Sequence, residues 1–318
     1  MSSRFSNGVY YMYGSVIVVM FLLGFSSQCI ALRIFTTKDF KQKPLNKLFL
    51  NLAVANLVLI IMEFPLSLLS MMTSSLVFGQ IGCTIRGFIA GVSSLTMITT
   101  LYCFTARIMV LVQLDDTREN PSKASLGKLK DTTLVILSWL FSVVCMSPPL
   151  FGWSEITVEP GGLNCAPNWA AEDPSDQAYL MLLILFGYVI PVGLLGNHFV
   201  RLWNDVYYIG HQPRPLHDIQ VKIRFRVMVK VVIISTAIFS FLWLPYSVFG
   251  LVSILGKADW LNNNPAAFIP PLVGKVSSLY CPVMYTVLSR RFRIAFLKRI
   301  GVKTATRQTK IYPAKKVE

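Results

Sequence analysis

The chain has 318 residues, of which 54% are hydrophobic and 14% charged, and its mean hydropathy is +0.57. So little polar surface cannot solvate a 35.7 kDa globule, and the same composition excludes a disordered chain, a collagen-like repeat and a disulfide mini-scaffold. A formal net charge of +15 fits either a nucleic-acid binder or a membrane protein with basic inner loops, so the positions of the charges decide.

Mainly apolar stretches long enough to cross about 30 Å of hydrocarbon recur seven times. They cover residues 9–35, 45–72, 83–114, 132–151, 177–203, 223–255 and 265–288. The third is the least apolar, with Arg86 and Arg107 near its ends and Ser and Thr through its middle. Small polar residues in a span face other helices, so it belongs at the centre of a bundle. The first stretch is too long for the core of a signal peptide and is expected to act as its own insertion signal. The expected fold is an all-α membrane protein, a seven-transmembrane helix bundle with a short amphipathic C-terminal helix.

Ten Lys or Arg follow Leu288: Arg290, Arg291, Arg293, Lys298, Arg299, Lys303, Arg307, Lys310, Lys315 and Lys316. Lys38, Lys41, Lys43 and Lys47 follow span one, Lys123, Lys128 and Lys130 follow span three, and Lys222, Arg224 and Arg226 precede or open span six. Glu155, Glu159, Glu172, Asp173 and Asp176 crowd the opposite side, between spans four and five. The positive-inside bias therefore puts the C-terminus in the cytoplasm and the N-terminus outside, as in a multi-pass plasma-membrane protein. It accounts for the +15 without nucleic acid. No repeat or linker marks a second domain, so residues 1–303 read as one seven-span unit and 304–318 as a basic cytoplasmic tail. Within that unit, residues near 290–300 alternate apolar and basic at helical spacing, with Phe292 and Phe296 on one face, and read as a helix lying on inner-leaflet lipid.

Cys83 opens span three at its outer end and Cys165 lies in the acidic outer loop, so both meet an oxidising compartment and can bridge. Cys29, Cys103, Cys145 and Cys281 fall inside spans, where free cysteine is a common small hydrophobe. Lys275 stands out more. It lies mid-way along span seven, where an ammonium costs about 2.5–3.5 kcal/mol and its stem cannot snorkel to water. Such a lysine is tied to a carboxylate, lines an ion or proton path, or condenses with an aldehyde as a Schiff base, for which a desolvated amine is suited.

The run Leu50-Asn-Leu-Ala-Val-Ala-Asn-Leu57, Trp139 in span four, Pro191 in span five and Trp243-Leu-Pro-Tyr246 in span six, with the Cys83/Cys165 pair, resemble a rhodopsin-like G-protein-coupled receptor. Lys275, six residues before Cys281-Pro-Val-Met-Tyr285, is similar to the lysine that carries retinal in opsins of a non-vertebrate-visual type. The resemblance implies retinal, 11-cis or all-trans, covalently bound at Lys275, in a pocket walled by Trp243 and Tyr246, with Phe88, Phe186, Phe239, Phe249 and Phe268 as weaker candidates. It implies a heterotrimeric G protein as partner, with arrestin as a further one, and calls for no metal. Pro245 would kink span six and supply a hinge.

A protonated imine in a dry pocket needs an anion. The vertebrate visual members carry a Glu three residues after the span-three Cys, where this chain has Arg86. Glu159, six residues before Cys165 where the family has a Glu on the loop capping retinal, and Glu63 inside span two remain, with Glu159 preferred. Chloride held by Arg86 is the third option. Together Glu63 and Glu159 would neutralise Arg86 and the charged Lys275.

The inner-end switches of the family are eroded. Its acid-Arg-aromatic triplet is replaced by Ala106-Arg107-Ile108, and Gln28, Asn56, Phe199 and Cys281 stand where it has Asn, Asp, Tyr and Asn. Arg107, Pro282 and Tyr285 are what remain of the signalling switch. Two functions follow: a light sensor that signals to a G protein on photoisomerisation of retinal and is not an enzyme, or a retinal photoisomerase with weak or no coupling. A receptor for a diffusible ligand would leave Lys275 unexplained.

Overall fold

The computed structural model describes residues 7–43, 45–73, 79–116, 130–159, 162, 164–208, 216–257 and 267–302. The chain is a bundle of seven helical segments with a small hairpin over one end, and among the described residues five of the seven are long and apolar enough to cross a membrane. Span one is α1 (Asn7–Phe35), followed by a single helical turn, α2 (Lys38–Lys41). Spans two to four are α3 (Asn46–Thr73), α4 (Gly79–Asp116) and α5 (Asp131–Met146). Span five is α6 (Pro174–Ile184) and α7 (Ile190–Tyr208) joined through one wide π turn, Leu185–Val189. Span six is α8 (Leu216–Val252) and span seven α9 (Ile269–Leu288). The amphipathic helix forms as α10 (Arg290–Arg299). Residues 304–318 lie outside the described residues, as do Lys123 and Lys128.

The helix ends follow local chemistry. Asp173 accepts hydrogen bonds from the Ser175 and Asp176 backbone N–H groups, and Pro174 supplies the first helical position of α6. Ser289 caps α10 by accepting from the Phe292 N–H, so the chain turns sharply between α9 and α10. Span four is shorter than the expected 132–151. Pro148 and Pro149 lack the N–H donors to continue α5, and the chain finishes in a tighter 3-10 turn, Pro148–Phe151. The π turn in span five precedes Pro191, which cannot donate to the Gly187 carbonyl, and the ladder slips register there.

Span seven shows how such a gap is filled. Pro282 leaves the Ser278 carbonyl without its helical donor, and the Gln28 amide donates to that oxygen at 2.9 Å. As the sequence suggested, α4 is central, packing on α3, α5, α7, α8 and the hairpin. Asn51 of α3 is the polar hub on its other side, donating to Thr100 at 2.8 Å and accepting from the Trp139 indole at 2.7 Å. The apolar core runs through Leu52, Leu59, Ile98, Leu101 and Phe104 to Tyr285 and Phe292, toward the end of the bundle that carries α10.

Candidate ligand-binding site

The end of the bundle that the charge bias assigns to the outside is closed by an antiparallel hairpin, β1 (Ile156–Val158) and β2 (Cys165–Pro167), in which Val158 pairs with Cys165. Cys83 and Cys165 are joined by a disulfide that fastens β2 to the top of α4. Gly87, one turn below Cys83, lets the hairpin sit this close: a Cβ there would lie 3.0 Å from the Cys165 carbonyl oxygen and nearer still to Ile156. The hairpin thus becomes a floor for the outer loop and a roof for the cavity beneath it.

That cavity lies between α3, α4, α6, α8, α9 and the hairpin. Its wall is mainly apolar, with Leu59, Ile98, Met146, Leu183, Phe239 and Trp243 among the lining residues, and Glu63, Glu159, Tyr246 and Lys275 also face it. Of the five weaker aromatic candidates only Phe239 lines it. Phe186 points outward, Phe268 packs against Tyr13 near span one, Phe88 lies under the disulfide and Phe249 stacks on Tyr246.

Lys275 is buried, and its Nζ lies 3.1 Å from Glu63 Oε2. Glu63 is shared: Arg86 donates through Nε to its Oε1 and through Nη2 to its Oε2, each at 3.1 Å. The same guanidinium donates to Ser67 Oγ at 2.6 Å and to Asn164 Oδ1 at 3.1 Å, and Asn164 donates to Tyr13 Oη at 3.1 Å. Spans one, two, three and seven and the hairpin loop therefore meet at one carboxylate held between two cations.

Glu159 lies elsewhere in the site. Its Oε1 accepts from Tyr246 Oη at 2.9 Å, and Tyr246 in turn accepts from the Trp169 indole at 3.0 Å. Burial pushes the Glu159 carboxyl above the usual carboxylate range, with the Lys275 charge and the Tyr246 hydrogen bond opposing it. Trp169 packs flat against Gly250 of α8, where a Cβ would come within 2.8 Å of the indole. Trp243 meets Tyr246 edge to face, with centroids 5.8 Å apart, and its indole donates to Ser277 at 3.0 Å. Ser67, Asn164, Tyr13 and Trp169 were not picked out from sequence. Asn164 had one signal, its place directly before the bridged Cys165.

At the inner end, Arg107 forms an ion pair with Asp131 at the start of α5, with Nε and Oδ1 3.1 Å apart. Tyr285 is buried among Phe35, Phe49 and Phe292. Asn56 donates to the Leu52 carbonyl at 2.7 Å and lies 3.9 Å from the Cys281 sulfur. Phe199 faces outward, while its neighbour His198 meets Thr105 at 3.0 Å and stacks on Tyr102.

The sequence profile of the 7 transmembrane receptor (rhodopsin family) matches residues 28–285. The chain belongs to the rhodopsin family of seven-transmembrane receptors. It is therefore an integral, multi-pass membrane protein, and its relatives are opsins. It is 25% identical to a "Rhodopsin, GQ-coupled" of Mizuhopecten yessoensis over 92% of this chain and 60% of that protein. It is 27% identical to a parapinopsin of Ictalurus punctatus over 82% of this chain and 74% of that one. The receptor thus spans about 60% of the length of the first of these. Among solved structures, squid rhodopsin matches its fold with a TM-score of 0.80 at 22% identity, over 94% of this chain and 87% of the other.

Proposed function

We propose that this receptor is a light sensor that holds retinal through an imine at Lys275 and signals to a heterotrimeric G protein. The observation that carries the reading is a buried primary amine, Lys275, on the wall of an apolar cavity with a carboxylate 3.1 Å away. A retinal polyene fits this chemistry, since Trp243, Phe239 and Leu59 offer apolar walls and Lys275 the nucleophile. When bound, retinal supplies absorption of visible light and a change of shape on isomerisation.

The chain's own residues do the rest. Glu63 is the acid in reach of the Lys275 nitrogen, so in this reading it balances the positive charge there, and Arg86, Ser67 and Asn164 hold it in place. Glu159 and Tyr246 form the second polar group of the pocket, linking the hairpin to α8. The N-terminus lies outside and α10 on the cytoplasmic side, which sets Arg107 and Tyr285 at the G-protein face. Arrestin would meet the same face.

An absorption spectrum of purified receptor given 11-cis and, separately, all-trans retinal tests the reading, with borohydride trapping of the linkage. A visible band is expected for at least one isomer in the wild type and none in Lys275→Ala that still reaches the membrane. An equal band in that variant sinks it. Light-dependent nucleotide exchange on added G protein separates signalling from the photoisomerase alternative, whose mark is isomer turnover without exchange.

A further inference from the structure

Glu63 meets two cations with a single negative charge. Its Oε2 lies 3.1 Å from both Lys275 Nζ and Arg86 Nη2, while its Oε1 lies 3.1 Å from Arg86 Nε. The guanidinium therefore engages both carboxylate oxygens, and the ammonium shares one of them. All three residues are buried, where charges are poorly screened, so a carboxylate held by two cations gives each less than its full attraction. The guanidinium is also fixed by neutral partners, since its Nη2 donates to Ser67 Oγ at 2.6 Å and to Asn164 Oδ1 at 3.1 Å. Asn164 directly precedes Cys165, so the disulfide that ties the hairpin to α4 also fixes the amide that holds Arg86. The other acid of the pocket, Glu159, has its Oε1 turned to Tyr246.

We propose that Arg86, by binding Glu63 and through its own charge, sets how much negative charge the Lys275 nitrogen feels, and thereby the wavelength at which the receptor absorbs; the wavelength rests on the light-sensing reading above. An anion beside that nitrogen stabilises the state in which positive charge sits on it. Absorption of light by a conjugated polyene attached there moves positive charge away from the nitrogen, so a strong anion widens the energy gap and a weak one narrows it. By occupying both oxygens of Glu63, Arg86 weakens the anion and moves absorption to longer wavelength. A bidentate guanidinium suits this task better than an ammonium, because it grips the carboxylate plane in one orientation. Asn164 is a positioning residue in this arrangement, acting through the guanidinium.

Two readouts on the full chain test this, one of them without retinal. In the ligand-free receptor, reductive methylation with formaldehyde and cyanoborohydride, mapped to Lys275 by mass spectrometry, follows the uncharged fraction of the amine. Arg86→Met leaves Glu63 to Lys275 alone and should slow that labelling about tenfold at a fixed alkaline pH. Asn164→Asp keeps the guanidinium and offers it a second carboxylate, so it should act in the same direction by about threefold. Arg86→Lys keeps a positive charge and should stay nearer the wild type than Arg86→Met, which separates charge from packing. In receptor given retinal, Arg86→Met and Asn164→Asp should both move the visible band to shorter wavelength. Labelling that is unchanged or faster in Arg86→Met, equal slowing in Arg86→Lys and Arg86→Met, or a band at longer wavelength in either of the first two variants would overturn the proposal. A wild type that forms no band with either isomer would sink the light-sensing reading, while slowed labelling in Arg86→Met would still support the control of Lys275 by Arg86.

Discussion

The outer and inner halves of the bundle hold the same helices together by different means. Outside, four spans and the hairpin loop converge on Glu63 through charged and polar groups whose partners lie within about 3 Å, in a region the disulfide fastens down. Inside, rings dominate: Phe35, Phe49, Tyr285 and Phe292 pack edge to face, tilted or stacked, and the ion pair of Arg107 with Asp131 joins α4 to α5. Directional, buried ion pairs tolerate few geometries, whereas ring contacts tolerate sliding. In the proposed light-sensing role, a pocket that holds a charge in one place and an opposite face that rearranges would be served by that division.

The largest expected effect is in the outer half. Glu63→Gln would leave the Arg86 and Lys275 charges buried with their shared anion gone, and breaking a buried pair by removing one partner costs about 3–5 kcal/mol. The receptor should lose thermal stability by that order, and any retinal-dependent visible band should shift to the ultraviolet at neutral pH and return on acidification. Glu159→Gln should leave the band in the visible. If the two variants exchange these outcomes, Glu159 rather than Glu63 balances the charge at Lys275. If neither moves the band but removing chloride does, Arg86 holds the anion.

Removing the hairpin's tether is next. Cys83 and Cys165 are 82 residues apart, and in the chain-entropy view losing that closure costs about 4 kcal/mol. Cys83→Ser should therefore depress assembly and lower Tm, and mass mapping should find the wild-type thiols bridged. A smaller loss is expected inside. Arg107 and Asp131 are partly exposed, at 25% and 18%, so the pair is worth about 1 kcal/mol at most. Asp131→Asn should change stability little while raising dark nucleotide exchange on a G protein, if the pair holds the inner face closed. Unchanged exchange would show that α4 and α5 are not the elements that move.

How far the sequence could go follows from which contacts are local. The spans and the position of Lys275 depend on neighbours a few residues away and are visible as apolar length and polarity, whereas span four, expected to reach residue 151, stops at Met146 because Pro148 and Pro149 end the helix. The Cys83/Cys165 pair needed only two cysteines on one side of the membrane. The partners of Arg86 did not announce themselves, because Ser67, Asn164 and Tyr13 come from three segments whose rotation about their own axes sets who faces whom. For the same reason the sequence preferred Glu159 as the partner of Lys275, counting back from Cys165, whereas the geometry puts Glu63 within reach and turns Glu159 to Tyr246. Asp131 carries no signal in the sequence beyond that of an acid at a helix start, a place favoured by the helix dipole in any case.

The smallest effect separates the two carboxylates by pH alone. Glu159 has its carboxyl raised above the range it would have in the unfolded chain, mainly by burial. The folded state therefore holds this proton more tightly than the unfolded state does. The stability this confers is fully present below the unfolded value of about 4.3 and is lost as pH rises through the folded one. Glu159→Gln cannot titrate and keeps a neutral group on Tyr246 at every pH. Its stability relative to the wild type should thus improve from pH 4 upward and level off once the wild-type carboxyl has ionised, and paired melting curves across pH 4–8 measure it. A difference that stays flat would mean that Lys275 and Tyr246 stabilise the charged form as much as burial penalises it, and Glu159 would then be a second anion of the pocket from the start.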